Sequence, residues 1–470
     1  MVPTATQHDL VVIGGGPGGY GAALYGAAAG LDIGLVEMHK VGGTCLHVGC
    51  IPAKELLESA AVFRTVRDAS EFGVDSSEPK IDLGRTQLRK QNVVDTLAKG
   101  VSSLLKGRKV TVYDGTGSLV RPGTVAVSGG ESGDETLEAE SVILAAGSKP
   151  RSIPGLDIDG QIVMTSDEFL SIDRVPQSAV VVGGGAIGCE FASVLGDLGT
   201  DVTIVEALPQ ILPGVDADAV KVVERSFAKR GIKIRTEVKV AGHTPRSDGS
   251  GTVVDLGDDS LDVDIVVVAV GRRPFPDFLG LDAAGVSVDD RGFVNVDELC
   301  RTNVDGVWAV GDLVATPQLA HVAFAEAIMV IKDILGEAAM PVDYDKVPWC
   351  IYCHPEVAFV GHTEQSAVDA GYDVAVSKHR FAGNSRAMII GEPEGLVKII
   401  AEKDADGAAG TILGVHMVGP WVTEQLGQGY MAVNWEATVA EASAFIQPHP
   451  TLSELFGETL LSMTGRALHG

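Results

Sequence analysis

The chain carries one local unit twice. From His8, Asp9-Leu-Val-Val-Ile13 reads as a buried strand. It runs into Gly14-Gly-Gly16-Pro-Gly-Gly19, an Ala-rich helix to Gly30, and a strand from Ile33 to Val36 that ends at Glu37. Far downstream, Ala179-Val-Val-Val182 runs into Gly183-Gly-Gly185-Ala-Ile-Gly188, a helix to about Leu198, and a strand from Val202 to Val205 that ends at Glu206. In both copies the carboxylate lies 18 positions after the last motif glycine. A lone G-x-G-x-x-G is as compatible with a plain structural turn as with a site. Here each one follows a strand, opens a helix and is completed by a carboxylate able to bind ribose hydroxyls, so the pair predicts two dinucleotide sites. The glycines allow a tight turn, backbone approach to a pyrophosphate and close packing of helix on strand, and the helix N-terminus offers free N–H groups to the anion. After Glu206 come Ala-Leu-Pro-Gln-Ile-Leu-Pro, with no Arg or Lys to hold a 2′-phosphate. The second site is therefore expected to prefer NAD(H) to NADP(H).

Each unit closes with a matching strand and turn, Val142-Ile-Leu-Ala-Ala-Gly147-Ser and Ile265-Val-Val-Val-Ala-Val-Gly271-Arg. Gly129 to Glu140 and Asp248 to Asp264 are short, acidic and turn-rich, as expected of solvated β-meander hairpins. Past about Pro348 the pattern changes to alternating strands (Val357 to Gly361, Leu396 to Ala401, Ile412 to Val418) and then helices, which predicts a separate α+β domain. A chain of 470 residues accommodates roughly three domains.

Composition narrows the function classes. With 36 Lys+Arg against 63 Asp+Glu the net charge is −27, and a surface that acidic repels phosphate backbones and anionic headgroups. Nucleic acid and membrane partners are not expected. Met1 to His8 has no basic and apolar export signal, and no apolar run approaches the ~18 residues of a membrane span. Six cysteines in a chain this long do not make a secreted disulfide scaffold. A reducing, cytoplasmic compartment is expected.

Beyond the first unit lies Gly42-Gly43-Thr44-Cys45-Leu46-His47-Val48-Gly49-Cys50-Ile51-Pro52-Ala53-Lys54. A bond between Cys45 and Cys50 would close a very small loop, with little entropic stabilisation of the oxidised form, and would suit exchange better than scaffolding. Lys54 is a candidate cation for lowering a thiol pKa. The spacing alone leaves open a second reading, two buried and inert cysteines. Cys350-Ile-Tyr-Cys353 has no second ligand pair and His354 does not complete a zinc site, so strand-edge core cysteines and no metal are expected there. Cys189 and Cys300 are expected to be inert.

The Gly-Gly-Thr-Cys-…-Gly-Cys-Ile-Pro-Ala-Lys stretch closely resembles that of the pyridine nucleotide–disulfide oxidoreductases, and the resemblance covers essentially the whole chain. It extends to Thr302 through Gly306-Val-Trp-Ala-Val-Gly311-Asp312, to Ala320-His321 and to His449-Pro450-Thr451. It implies an α/β fold of two Rossmann-like FAD/NAD(P)-binding domains plus a C-terminal α+β dimerisation domain. The division is 1–150 (FAD, first part), 151–275 (NAD), 276–347 (FAD, second part, central) and 348–470 (interface). The first glycine unit with Glu37 would bind FAD, helped by Thr44, Lys54, Gly117, Gly147, Gly311, Asp312 and the helix opened by Ala320. The second, with Glu206, would bind NAD, with Glu190 by the nicotinamide and paired to the flavin-side lysine, and with Val238 and Gly271 also in contact. Cys45 and Cys50 would be the redox disulfide, His449 the general base and Glu454 the residue that orients it, reaching the disulfide of the other subunit of a homodimer. From the residues alone, Thr451-Leu-Ser-Glu454 reads as a capping box that starts the last helix.

The function so implied is reoxidation of dihydrolipoamide with NAD⁺, the partner being the lipoyl-bearing acyltransferase of a 2-oxoacid dehydrogenase complex or a glycine-cleavage carrier. The alternative is an NAD(P)H-dependent reductase of another low-molecular-weight disulfide. Glu206 argues against glutathione-type reductases. The absence of a cysteine pair from Met463 to Gly470, and of a metal-binding domain before Gly14, argues against mercuric reduction. The cysteine pair with His449 argues against a structural subunit with a vestigial flavin. His47, Ala53 and Cys353 depart from the residues common in the family, and His47 is expected to bear on the disulfide potential or the thiolate pKa.

Overall fold

The computed structural model describes residues 5–130 and 133–469. Met1 to Thr4, and the tip Glu131-Ser132 of one expected hairpin, lie outside the described residues.

Strand Thr6–Ile13 pairs in parallel with Ile33–Glu37 on one side and Glu135–Leu144 on the other, with Val12 opposite Leu35 and Ile143. Thr111–Asp114 extends the sheet beyond Ile33–Glu37. Helices cover both faces of such a sheet, which is why Leu10, Val11 and Val12 form an unbroken apolar run, all with no exposure. Val307–Ala309 joins the same sheet beside Glu135–Leu144, so the chain leaves this sheet and later returns to it.

The expected hairpin over Gly129 to Glu140 is only half a solvated meander. The first half of Glu135–Leu144 pairs antiparallel with Thr124–Ser128, and from Leu137 onward the strand also pairs in parallel with Thr6–Ile13. Because the two halves form one strand, Leu137 and Ala139 are buried against Leu279 and Val286.

A second sheet of five strands runs in the order Lys233–Arg235, Asp201–Val205, Ser178–Val182, Ile265–Val268, Val163–Thr165, all parallel. Thr252–Asp255 and Ser260–Val263, the other expected hairpin, pair with each other, and Thr252–Asp255 also pairs with Gly242–Pro245, in a separate antiparallel sheet. The two nucleotide units are tied together by Ser148–Pro150 paired with Arg272–Pro274.

The C-terminal domain is a five-stranded antiparallel sheet flanked by helices Val422–Asn434 and Glu454–Met463. Two of its strands escape a reading by apolar runs. Trp349–Ile351 is three residues at an edge, and Val374–Arg380 carries Lys378 and Arg380 outward. Lys398, 3 % exposed, holds this domain to the second unit through Asp216 (3.0 Å) and Asp218 (2.9 Å). Among the described residues no helix is long and apolar enough to cross a membrane, and no group of three or more His, Cys, Asp or Glu side chains could hold a metal ion.

Candidate active site

The two glycine units fold alike. A Cβ on Gly19 would sit 1.7 Å from the Gly14 carbonyl oxygen, and one on Gly188 would sit 1.9 Å from that of Gly183. These third glycines do not face ligand space. They let helices Pro17–Ala28 and Ala186–Asp197 lie on their strands with the free N-termini turned outward. Each carboxylate ties down its own loop: Glu37 Oε2 accepts from Gly15 N–H and Glu206 Oε2 from Gly184 N–H, both at 2.6 Å.

Both loops open into one cavity of about 1770 Å³, larger than the ~300–1,000 Å³ usual for a single ligand. Gly14, Gly16, Glu37 and Gly117 line it at one end and Gly183, Gly185, Glu206, Val238 and Gly271 at the other. Thr44, Cys45, Cys50, Lys54 and Glu190 lie along it, as do Gly147, Gly311, Asp312 and Ala320. Two anion-binding helix ends and two ribose-type carboxylates in one elongated cavity fit FAD and NAD(H) together.

Cys45 lies on the short helix Gly43–Val48, and Cys50 is the first residue of Cys50–Arg67. The turn between them needs Gly49, where a Cβ would come 2.8 Å from the Thr44 carbonyl and 3.2 Å from Cys45 Cα. Both cysteines are thiols here, and they differ. The hydrogen bond from the Cys45 thiol, helped by the Lys54 ammonium, overcomes burial and holds Cys50 down to about 7. Cys45 is pushed up by its hydrogen bond to Cys50 and by burial. The Cys50 position at a helix N-terminus favours its thiolate in the same sense.

Lys54 Nζ donates to both oxygens of Glu190 at 2.9 Å and lies 4.9 Å from the Tyr352 ring centre. Burial would lower the Lys54 pKa, but the Glu190 charge and hydrogen bonds outweigh it and Lys54 is held above its ordinary value. Tyr352 N–H also donates to Glu190, at 2.9 Å, so one carboxylate joins all three parts of the fold at the thiols.

A titration follows from this arrangement. In the reduced protein, the rate of Cys50 alkylation should rise with pH through about 7. In Lys54→Met the rise should move toward the ordinary thiol value of ~8.5, because a cation that favours thiolate is gone. An unmoved profile would remove Lys54 from the account.

Asp312 is held in place by others. Its Oδ2 accepts from Ser148 Oγ, which accepts from Arg272 Nε at 2.7 Å. Glu326, fully buried, accepts from Gly311 N–H (2.6 Å), Thr316 Oγ1 (2.7 Å) and Tyr344 OH (3.0 Å). Sequence reading passed over Glu326. The signal was a carboxylate on the apolar face formed by Ala323, Ala327 and Val330. Tyr20 also went unread: burial, Cys45 and Cys50 raise its pKa, in that order.

His449 and Glu454 do not line the cavity. His449 Nδ1 meets Glu454 Oε1 at 2.8 Å, and the histidine side chain is 71 % exposed against 21 % for Glu454. The expected capping box needs correction. Glu454 Oε2 accepts from Thr451 N–H at 2.7 Å, but the helix is Glu454–Met463 with Ser453 as N-cap, and Thr451 Oγ1 donates to the Pro448 carbonyl instead. His47 Nε2 lies 2.9 Å from the Val41 carbonyl oxygen, and the groups that move the two thiols do not include it. Cys353 is fully buried, whereas Cys350, on the edge strand, lines the cavity, and burial pushes its thiol up to about 11.

Comparison with known proteins agrees with this geometry. Residues 8–327 match the model of pyridine nucleotide-disulphide oxidoreductases, and residues 347–460 match the dimerisation domain of the same family, which supports a homodimer. A dihydrolipoyl dehydrogenase of Bacillus subtilis (strain 168) is 41 % identical, covering 99 % of this chain and 100 % of its own. The solved structure of LpdA from Mycobacterium tuberculosis superposes with a TM-score of 0.90 at 28 % identity, over 98 % of this chain and 100 % of its own. The HOCl-induced flavoprotein disulfide reductase RclA of Escherichia coli, as its Cu(II) complex, gives a TM-score of 0.87 at 26 % identity, over 97 % and 99 %. Two glycine loops, a thiol pair poised between them and a matched dimerisation domain thus converge, and the chain belongs to the pyridine nucleotide-disulphide oxidoreductase family.

Proposed function

We propose that this enzyme reoxidises dihydrolipoamide with NAD⁺, its substrate being the lipoyl group of an acyltransferase in a 2-oxoacid dehydrogenase complex or of a glycine-cleavage carrier. The observation that carries the reading is the asymmetry of the thiol pair, with Cys50 stabilised as thiolate beside Lys54 and Glu190 in the cavity both glycine loops share. Residues 1–150 and 276–347 are assigned to FAD, 151–275 to NAD and 348–470 to the subunit interface.

In the oxidised enzyme, His449 takes the proton of one substrate thiol and Glu454 orients its imidazole. The resulting thiolate attacks Cys45 Sγ, the Cys45–Cys50 bond breaks, and Cys50 leaves as thiolate. The second substrate thiol attacks the mixed disulfide, cyclic oxidised lipoamide departs, and Cys45 is released and protonated. Cys50 is the better leaving group because its thiolate is already favoured. The first glycine loop, Glu37 and Asp312 would hold FAD, which when bound would supply a two-electron carrier between the dithiol and NAD⁺. Lys54 and Glu190 keep the junction charged and ordered. Because His449 stands outside the cavity of its own chain, it is assigned to the disulfide of the partner.

The test is NADH formation by the purified yellow protein given dihydrolipoamide and NAD⁺, beside NADP⁺ and beside NAD(P)H with other disulfides. Rapid turnover with NAD⁺ and little with NADP⁺ is expected. Reduction of another disulfide with no response to dihydrolipoamide would leave the family standing and remove the substrate.

A further inference from the structure

The His449–Glu454 pair rests on a segment with little packing of its own. Phe445, Ile446, Pro448, His449 and Pro450 are all exposed. Among the described residues, two side chains from elsewhere in the chain hydrogen-bond to residues 445–454. Gln428 Oε1 accepts from Gln447 Nε2 at a long 3.5 Å, and Asn384 Nδ2 donates to the Thr451 carbonyl at 2.9 Å.

Asn384 is itself anchored. It is buried at the start of the helix Ser385–Ile389, where its Oδ1 accepts from Ala387 N–H at 3.0 Å. Its own N–H donates to the Phe381 carbonyl at 2.8 Å. The Phe381 ring is fully buried, and a Cβ on Gly395 would come within 2.9 Å of it and one on Gly419 within 2.7 Å. Gly395 precedes the strand Leu396–Lys403 and Gly419 ends the strand Ala409–Gly419, so Asn384 is fixed to the C-terminal sheet. Its amide fits only one way round, because Ala387 N–H requires the oxygen and the Thr451 carbonyl requires the nitrogen.

The Thr451 backbone is thus held by both of its polar groups. Its carbonyl takes the Asn384 donor. Its N–H goes to Glu454 Oε2 at 2.7 Å, and Glu454 Oε1 meets His449 Nδ1 at 2.8 Å. Hydrogen bonds weaken steeply with distance and angle, so a shift of Thr451 displaces the carboxylate and, with it, the imidazole.

We infer that Asn384 is a positioning residue for the thiol half-reaction. From the C-terminal sheet it holds the Thr451 carbonyl, and through Thr451 and Glu454 it fixes the His449 ring where a substrate thiol gives up its proton. The inference rests on the reading of His449 as general base.

The test uses the FAD-loaded dimer and separates the amide donor from the helix cap. Asn384→Asp and Asn384→Ser each keep an oxygen that caps the helix and lose the amide donor to Thr451. In stopped-flow reduction by dihydrolipoamide both should be about 10–100-fold slower than wild type, the scale of a misplaced catalytic group, while reduction of the flavin by NADH holds within about twofold. In the His449→Gln background Asn384→Asp should slow the thiol step by less than about twofold more, because residues that act through one another are not additive. A merely structural role would give the full loss again. An undiminished thiol step in both single variants, an equal slowing of the NADH step, or a full further loss in the double variant would overturn the inference and leave the base reading intact. A His449→Gln enzyme as fast as wild type would sink the base reading, and the role of Asn384 with it.

Discussion

Cys45→Ser and Cys50→Ser should each abolish dihydrolipoamide turnover, by a factor on the order of 10⁴ or more, the scale of losing an attacking or attacked atom. The protein should stay yellow, because neither sulfur belongs to the loops and carboxylates assigned to FAD. The two variants should differ in a second reading. The hydrogen bond from Cys45 is the largest cause of the lowered Cys50 pKa, so in Cys45→Ala, which leaves no donor in its place, the alkylation profile of Cys50 should move upward in pH, whereas the serine hydroxyl of Cys45→Ser can still donate. In Cys50→Ser the largest cause that raises Cys45 is removed and Lys54 still lowers it, so the remaining Cys45 should alkylate at lower pH than it does in the reduced wild type. Turnover retained in either variant would end the disulfide mechanism.

The second large effect is expected at His449. His449→Gln should lower the rate of the thiol half-reaction by ~10²–10⁴, the usual contribution of a positioned general base, while NADH-driven reduction of the flavin stays unchanged. Glu454→Gln should cost less, because the amide oxygen can still accept from the imidazole and only its charge is lost. Subunit geometry can be read from the same variant. A heterodimer of one Cys45→Ser chain and one His449→Gln chain would contain one complete site if His449 serves its partner, and should recover about half the activity of the wild-type dimer. No recovery would place His449 and Cys45 of one chain in the same site.

Local order was legible where local chemistry dictates it. The glycine loops with Glu37 and Glu206 could be read because turn, helix and strand within one unit are set by neighbours in sequence, and the structure repeats their hydrogen bonds at the same distances. Val374–Arg380 and Trp349–Ile351 could not be read, since an edge or half-exposed strand owes its existence to a partner strand far along the chain. Thr451 was read as a cap because its spacing to Glu454 fits one, but the carboxylate is shared with His449 and the helix starts later.

Sequence by itself determined the two dinucleotide units, the cysteine pair and the identity of the side chains available for acid–base work, because each is written in adjacent residues whose backbone requirements are local. Tertiary structure decided how those parts act. The lowered Cys50 thiol depends first on the Cys45 thiol that the Gly49 turn brings to it and then on Lys54, one turn on along its own helix; Glu190, from another domain, raises the thiol pKa but holds Lys54 in place. The Asp312 position depends on Ser148, Arg272 and Glu326. Charge and hydrogen-bond energies fall off within a few ångströms, so these effects exist only once folding has brought distant segments to that range.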